Sequence, residues 1–152
     1  MIFVDANVFL RFFVVPGTPQ DRTMALQAAE LFGRVRAGDE EMTTSEAVVA
    51  EVAFIATSKA HYAFPRIDAA GLLKTVLHLP GCRLPMKDTS LRALDLWVAH
   101  PRLSFTDALG AAYSEEVGYE LATFDHRLTR VPAIILYTFP ALPENGHGTT
   151  VS

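Results

Sequence analysis

Short apolar runs alternate with longer helical segments along this chain, and that alternation restricts the fold more than any other feature. Ile2-Phe3-Val4 reads as a buried strand that ends at Asp5. Ala6 to Phe13 reads as a helix, stopped by the cluster Pro16-Gly17-Thr18-Pro19. Gln20 to Ala37 is a second helix with Gly38 as its stop. Glu41 to Thr44 is a second strand. Ser45 then stands as an N-cap before the apolar run Ala47 to Ala56, which is too long for a strand and reads as a buried helix. Further helices are expected over Arg66 to Leu79, Thr89 to His100 and Ser104 to Gly118, and further strands over Cys82 to Leu84, Tyr119 to Phe124 and Ala133 to Tyr137.

Strands that alternate with helices imply an α/β fold, with a mostly parallel sheet covered on both faces. Ligands bind such sheets outside the carboxyl ends of the strands. Asp5 and Asp125 each follow an apolar strand directly, so both belong on that rim. If the first and fourth strands are neighbours, the two carboxylates start ~5 Å apart. One domain over residues 1–140 is expected, then a mobile tail over 141–152, where Gly, Asn, Thr and Ser replace the apolar pattern.

Half of the 152 residues are hydrophobic and one-fifth are charged, which suits an ordinary folded domain with a sizeable core. No apolar stretch reaches the ~18 residues of a membrane span. The opening Met1-Ile2-Phe3-Val4-Asp5 lacks the basic region of a secretory leader. Cys82 is the single cysteine, so no intrachain disulfide can form and a reducing cytoplasm is expected. The net charge of −4 is not that of a protein that coats the double helix. It is compatible with a nuclease, because bound divalent ions offset carboxylates where a phosphate must approach.

Four acids carry the functional argument. Asp5 and Asp125 could each be a helix cap. Glu51 is the one charged residue between Ala47 and Thr57, and on a helix it shares a face with Val48, Val52, Phe54 and Ile55. A carboxylate on such a face must pair, protonate or bind a cation. Glu46 reads as an ordinary first-turn acid. Asp107 sits in Ser104-Phe105-Thr106-Asp107, which also reads as a capping box. Each structural reading suffices alone. Together, however, the four acids stand at ends of elements that an α/β fold brings to one rim, and hard oxygen ligands of this kind select Mg²⁺ or Mn²⁺. The five histidines show no paired zinc spacing, and no Walker, Gly-x-Gly-x-x-Gly or Gly-x-Ser-x-Gly pattern occurs.

At these residues the chain resembles a known family. Val4-Asp5-Ala6-Asn7-Val8-Phe9-Leu10 is similar to the opening of PIN domains, particularly those of VapC-type toxins. Ser45-Glu46-Ala47-Val48-Val49-Ala50-Glu51-Val52 resembles their second motif and aligns the second acid with Glu51. Ser104-Phe105-Thr106-Asp107-Ala108-Leu109 resembles the third, and Leu121-Ala122-Thr123-Phe124-Asp125 the fourth. The resemblance runs in order from Met1 to about Tyr137. It implies a three-layer α/β/α sandwich around a parallel sheet, and cleavage of single-stranded or loop RNA with Mg²⁺ or Mn²⁺. It also implies a homodimer silenced by a small antitoxin protein. Asp5, Glu51, Asp107 and Asp125 would then be catalytic metal ligands, with Asn7 and Thr123 orienting them. The fourth acid varies within the family, and His126 stands where a basic residue is common.

Arg11, Arg102 and Arg127 are candidate phosphate contacts. Phe9, Phe12, Phe13, Val14 and Val15 crowd the first helix, and part of that set is expected on the surface as a docking patch. Two rival classes are weighed. A phosphoryl-accepting domain also places an Asp after its first strand, but the second Asp of the haloacid-dehalogenase pattern is replaced by Asn7. The late Lys of a receiver domain is missing too, since no Lys follows Lys87. A degenerate PIN domain that only binds protein or RNA is the non-enzymatic rival.

Overall fold

Ile2–Phe3 (β1) pairs in parallel with Met42–Thr43 (β2). The Ile2 N–H donates to Glu41 O and the Val4 N–H to Thr43 O, each at 2.9 Å. The buried Thr44 hydroxyl adds a 2.8 Å bond to Val4 O and closes the polar end of the pair. The computed structural model of the chain describes residues 1–143. The tail expected over 141–152 therefore lies, beyond Pro143, outside the described residues.

The third expected strand is reduced to one parallel bridge, Met42 to Cys82. Its geometry depends on Gly81. A Cβ on Gly81 would stand 2.3 Å from Glu40 O, and its N–H donates to Val35 O at 3.2 Å. Pro80 and Pro85 flank the segment, and a proline cannot donate to a ladder. The fourth and fifth expected strands are likewise reduced to one parallel bridge, Leu121 to Leu136. Their neighbours Phe124, Ile135 and Tyr137 are exposed, so little apolar burial favours a longer ladder. Among the described residues no backbone hydrogen bond joins this pair to β1. Asp5 and Asp125 thus do not start on adjacent hydrogen-bonded strands. The chain has the expected α/β fold with a parallel sheet, but its pairing is confined to two short strands and isolated bridges.

The helices form close to where the sequence pattern places them. Ala6–Phe13 (α1) and Pro19–Ala37 (α2) pack together through a cluster in which Phe9 and Phe12 lie 5.6 and 4.9 Å from the Phe32 ring. The docking patch expected on α1 is therefore largely consumed. Phe9 is buried, Phe12 and Phe13 pack on the core, and Val15 is left exposed. Thr18 caps α2, and Gly38 ends it with φ +83°, a left-handed conformation that glycine adopts without strain.

Glu46–Thr57 (α3) starts at Ser45, whose hydroxyl accepts from the Val48 N–H. Its buried face is Val48, Val49, Val52, Ala53 and Ala56, which packs toward α1, Arg66–Leu77 (α4) and Phe105–Ala112 (α6). Glu51 and Phe54 point the other way, and Phe54 is 69% exposed. The expectation that Glu51 is costly on an apolar face is corrected here: an exposed carboxylate keeps its water. Lys87–Ala99 (α5) packs between α4 and α6. The helix expected to run to Gly118 stays α-helical to Ala112, becomes a π-helical turn over Tyr113–Val117, and ends at the left-handed Gly118. No helix among the described residues is long and apolar enough to cross a membrane.

Candidate metal centre

Asp5 follows β1 at the first position before α1, with extended φ and ψ of −86° and 162°. Its carbonyl accepts from the Val8 N–H at 3.1 Å, but its carboxylate accepts from no helix amide. The capping role open to Asp5 is thus not realised. Its carboxylate is exposed and makes no hydrogen bond or ion pair among the described residues. Glu51, on the exposed face of α3, is equally unpartnered. Glu46, by contrast, accepts a 2.7 Å bond from the Tyr113 hydroxyl, and that bond raises the Tyr113 pKa above its ordinary value. This engagement across the fold has no signal in the sequence.

Asp107 realises its capping-box reading in full. Its Oδ2 accepts from the Ser104 N–H at 3.0 Å, and its own N–H donates to Ser104 Oγ at 3.1 Å. The same carboxylate faces Arg127, with Nη2 at 3.7 Å from Oδ2. Asp125 is held far more tightly by that arginine. Arg127 Nε donates to both carboxylate oxygens at 3.0 and 2.9 Å, Nη2 reaches Oδ2, and the Arg127 backbone N–H donates to Oδ1 at 2.9 Å. These bonds push the Asp125 carboxyl down to about 2. The Asp125 N–H donates to Thr123 Oγ1 at 3.0 Å, so Thr123 steadies the turn that carries the acid. Arg127 Nη1 donates to Arg102 O at 2.9 Å and ties the turn to the loop between α5 and α6.

Arg127 thus gathers two acids that lie far apart in sequence. The sequence offers it as a phosphate contact, and its role as their shared counter-ion emerges only in the fold. Its position two residues after Asp125 was the available signal. Asn7 bonds to none of the four acids; it lines a cleft of about 350 Å³ between α1 and α2 with Arg11, Met24 and Gln27. Arg11 is engaged by Asp21 and is not a free phosphate contact.

No three acids, histidines or cysteines among the described residues stand close enough to hold an ion together. The physical reason is direct: clustered carboxylates repel unless a cation joins them. Here Arg127 is the cation for two of them. The donor set nevertheless suits a hard divalent ion, since all four groups are carboxylates and two have no competing partner.

A family model described as PIN domain matches residues 2–134, a span that contains all four acids and Arg127. The chain belongs to the PIN domain family. Among curated proteins none matches it. PIN domains are generally nuclease modules, and they typically use divalent metal ions. Within the matched span Asp5 and Glu51 present free carboxylates, while Asp107 and Asp125 meet at one guanidinium.

Proposed function

We propose that this PIN domain is an Mg²⁺- or Mn²⁺-dependent endoribonuclease acting on single-stranded or loop RNA, and that it is the cytoplasmic toxin of a type II toxin–antitoxin pair. The observation that carries the reading is the PIN-domain match over residues 2–134, a span that contains all four acids, with Asp5 and Glu51 presenting exposed, unpartnered carboxylates. Asp5, Glu51, Asp107 and Asp125 would hold the ion. When bound, it lowers the pKa of a water and offsets charge on the phosphodiester. The protein's own contribution is positional. Ser104 holds Asp107 through the capping box, and Thr123 holds the Asp125 turn. Arg127 balances the acids' charge and, once released from them, can turn to a phosphate.

One observation favours the non-enzymatic reading: Asp107 and Asp125 already have protein partners. The two readings separate in one experiment. Purified protein should bind Mn²⁺ and cut single-stranded RNA, and excess chelator should stop the cutting. Undiminished cutting in chelator would remove the mechanism, and failure to bind Mn²⁺ would favour the degenerate domain. For the toxin role, expression should arrest bacterial growth, and co-expression of a small neighbouring gene should restore it. Light scattering at high micromolar concentration should give a homodimer; a monomer would remove that part.

A further inference from the structure

The loop between α5 and α6 and the turn after Asp125 enclose a pocket of about 310 Å³. Five nitrogen-rich side chains line it: His100, Arg102, His126, Arg127 and Arg130. No acidic residue lines it, and Pro101 and Leu103 supply apolar wall. In a chain whose net charge is −4, this is a marked local reversal of sign. Arg127 is committed to Asp125 and to Arg102 O. The side chains of Arg102 and Arg130 make no hydrogen bond or ion pair among the described residues. Two guanidinium groups without a carboxylate partner among the described residues therefore line one concave site.

We infer that this pocket is a nucleotide subsite, in which Arg102 and Arg130 take a phosphate of a single RNA strand beside Asp125. The inference rests on the ribonuclease reading for its substrate class. Guanidinium forks match phosphate oxygens in charge and geometry, and the two imidazoles add further possible donors. The volume lies at the lower end of the ~300–1,000 Å³ of small-molecule pockets, which suits one nucleotide and not a duplex. The apolar wall offers a surface for a base or ribose. Arg127 belongs both to the pocket wall and to the acid pair, so a strand seated here lies alongside the candidate metal centre.

The test is binding without cleavage. A fluorescein-labelled single-stranded hexaribonucleotide is titrated in excess EDTA, and anisotropy is read over a range of salt. Arg102→Gln/Arg130→Gln should weaken binding tenfold or more, and the slope of log affinity against log salt should fall by about 0.7, the value for one phosphate contact on a single strand. Arg22→Gln/Arg36→Gln, which removes the same charge from α2, should change neither by as much. Adenosine 5′-monophosphate should displace the oligonucleotide from the unmodified protein better than inorganic phosphate does. Both variants should melt like the unmodified protein, since these side chains are exposed. Equal binding by the two double variants would overturn the subsite, and phosphate competing as well as the nucleotide would reduce it to an anion site. Because no metal is present, an inactive metal centre would leave the binding result standing. Conversely, cleavage with normal binding in Arg102→Gln/Arg130→Gln would sink the subsite alone.

Discussion

Arg127 grips Asp125 from two sides, with its backbone N–H 2.9 Å from Oδ1 and its Nε 3.0 and 2.9 Å from the two carboxylate oxygens. The carboxyl is held at about 2, against an ordinary value of 3.8, chiefly by the side-chain bonds from Arg127. A depressed acid contributes stability that is present above its unfolded value and is lost as pH falls through its folded one. The stability that the Asp125–Arg127 pair contributes should therefore be complete above about pH 4 and be lost between there and about pH 2, while the pair itself persists in the folded protein down to about pH 2. Carboxyl-resolved NMR should place the Asp125 midpoint near 2, and Arg127→Gln should return it toward 3.8. A midpoint already at 3.8 in the unmodified protein would mean the pair does not form in solution.

Asp5→Asn and Asp107→Asn should both lose cleavage by more than the ~10–100-fold that loss of a supporting residue costs a metal site. The stability roles of the two acids should differ, and Asp5→Asn and Asp107→Ala read them, since Asn at position 107 can keep a cap bond. Asp5 makes no cap bond, so its amide variant should melt at or above the unmodified protein. Asp107→Ala should cost about 0.5–1 kcal/mol, because it removes half of a capping box. Thermal melting in chelator reads both. Destabilised but active variants at both positions would make these acids caps.

Gly81→Ala should destabilise by ~2–3 kcal/mol, because a Cβ there meets backbone oxygens that have nowhere to go. Chemical denaturation measures this. A change within ~0.5 kcal/mol would mean that the backbone at Val35 and Glu40 yields to the added methyl group.

Ser90→Ala should be neutral to stabilising, by up to about 1 kcal/mol. Ser90 is fully buried on α5, and its hydroxyl has no hydrogen-bond partner. A loss above ~1 kcal/mol in the same denaturation assay would show that the hydroxyl is satisfied in solution.

The α/β class, the helix order and the four acidic positions follow from sequence alone, because they are local. Apolar spacing places Val48, Val49 and Val52 on one buried face, Gly38 and Gly118 end their helices left-handed, and Ser104 and Asp107 close a capping box within one turn. Tertiary structure decided what depends on distant neighbours. Glu51 reads as buried because its chain neighbours are apolar, yet which way it faces depends on where α1, α4 and α6 pack. Part of the apolar set around α1 reads as a surface patch; Phe32 from α2 covers Phe9 and Phe12, and Val15 stays exposed. The later strands read as full ladders, yet each keeps a single bridge because pairing needs a partner edge and cover that no local pattern contains. The meeting of Asp107 with Asp125 at Arg127 is of the same kind: spacing along the chain places each acid at an element's end, and only the folded backbone brings one guanidinium within reach of both.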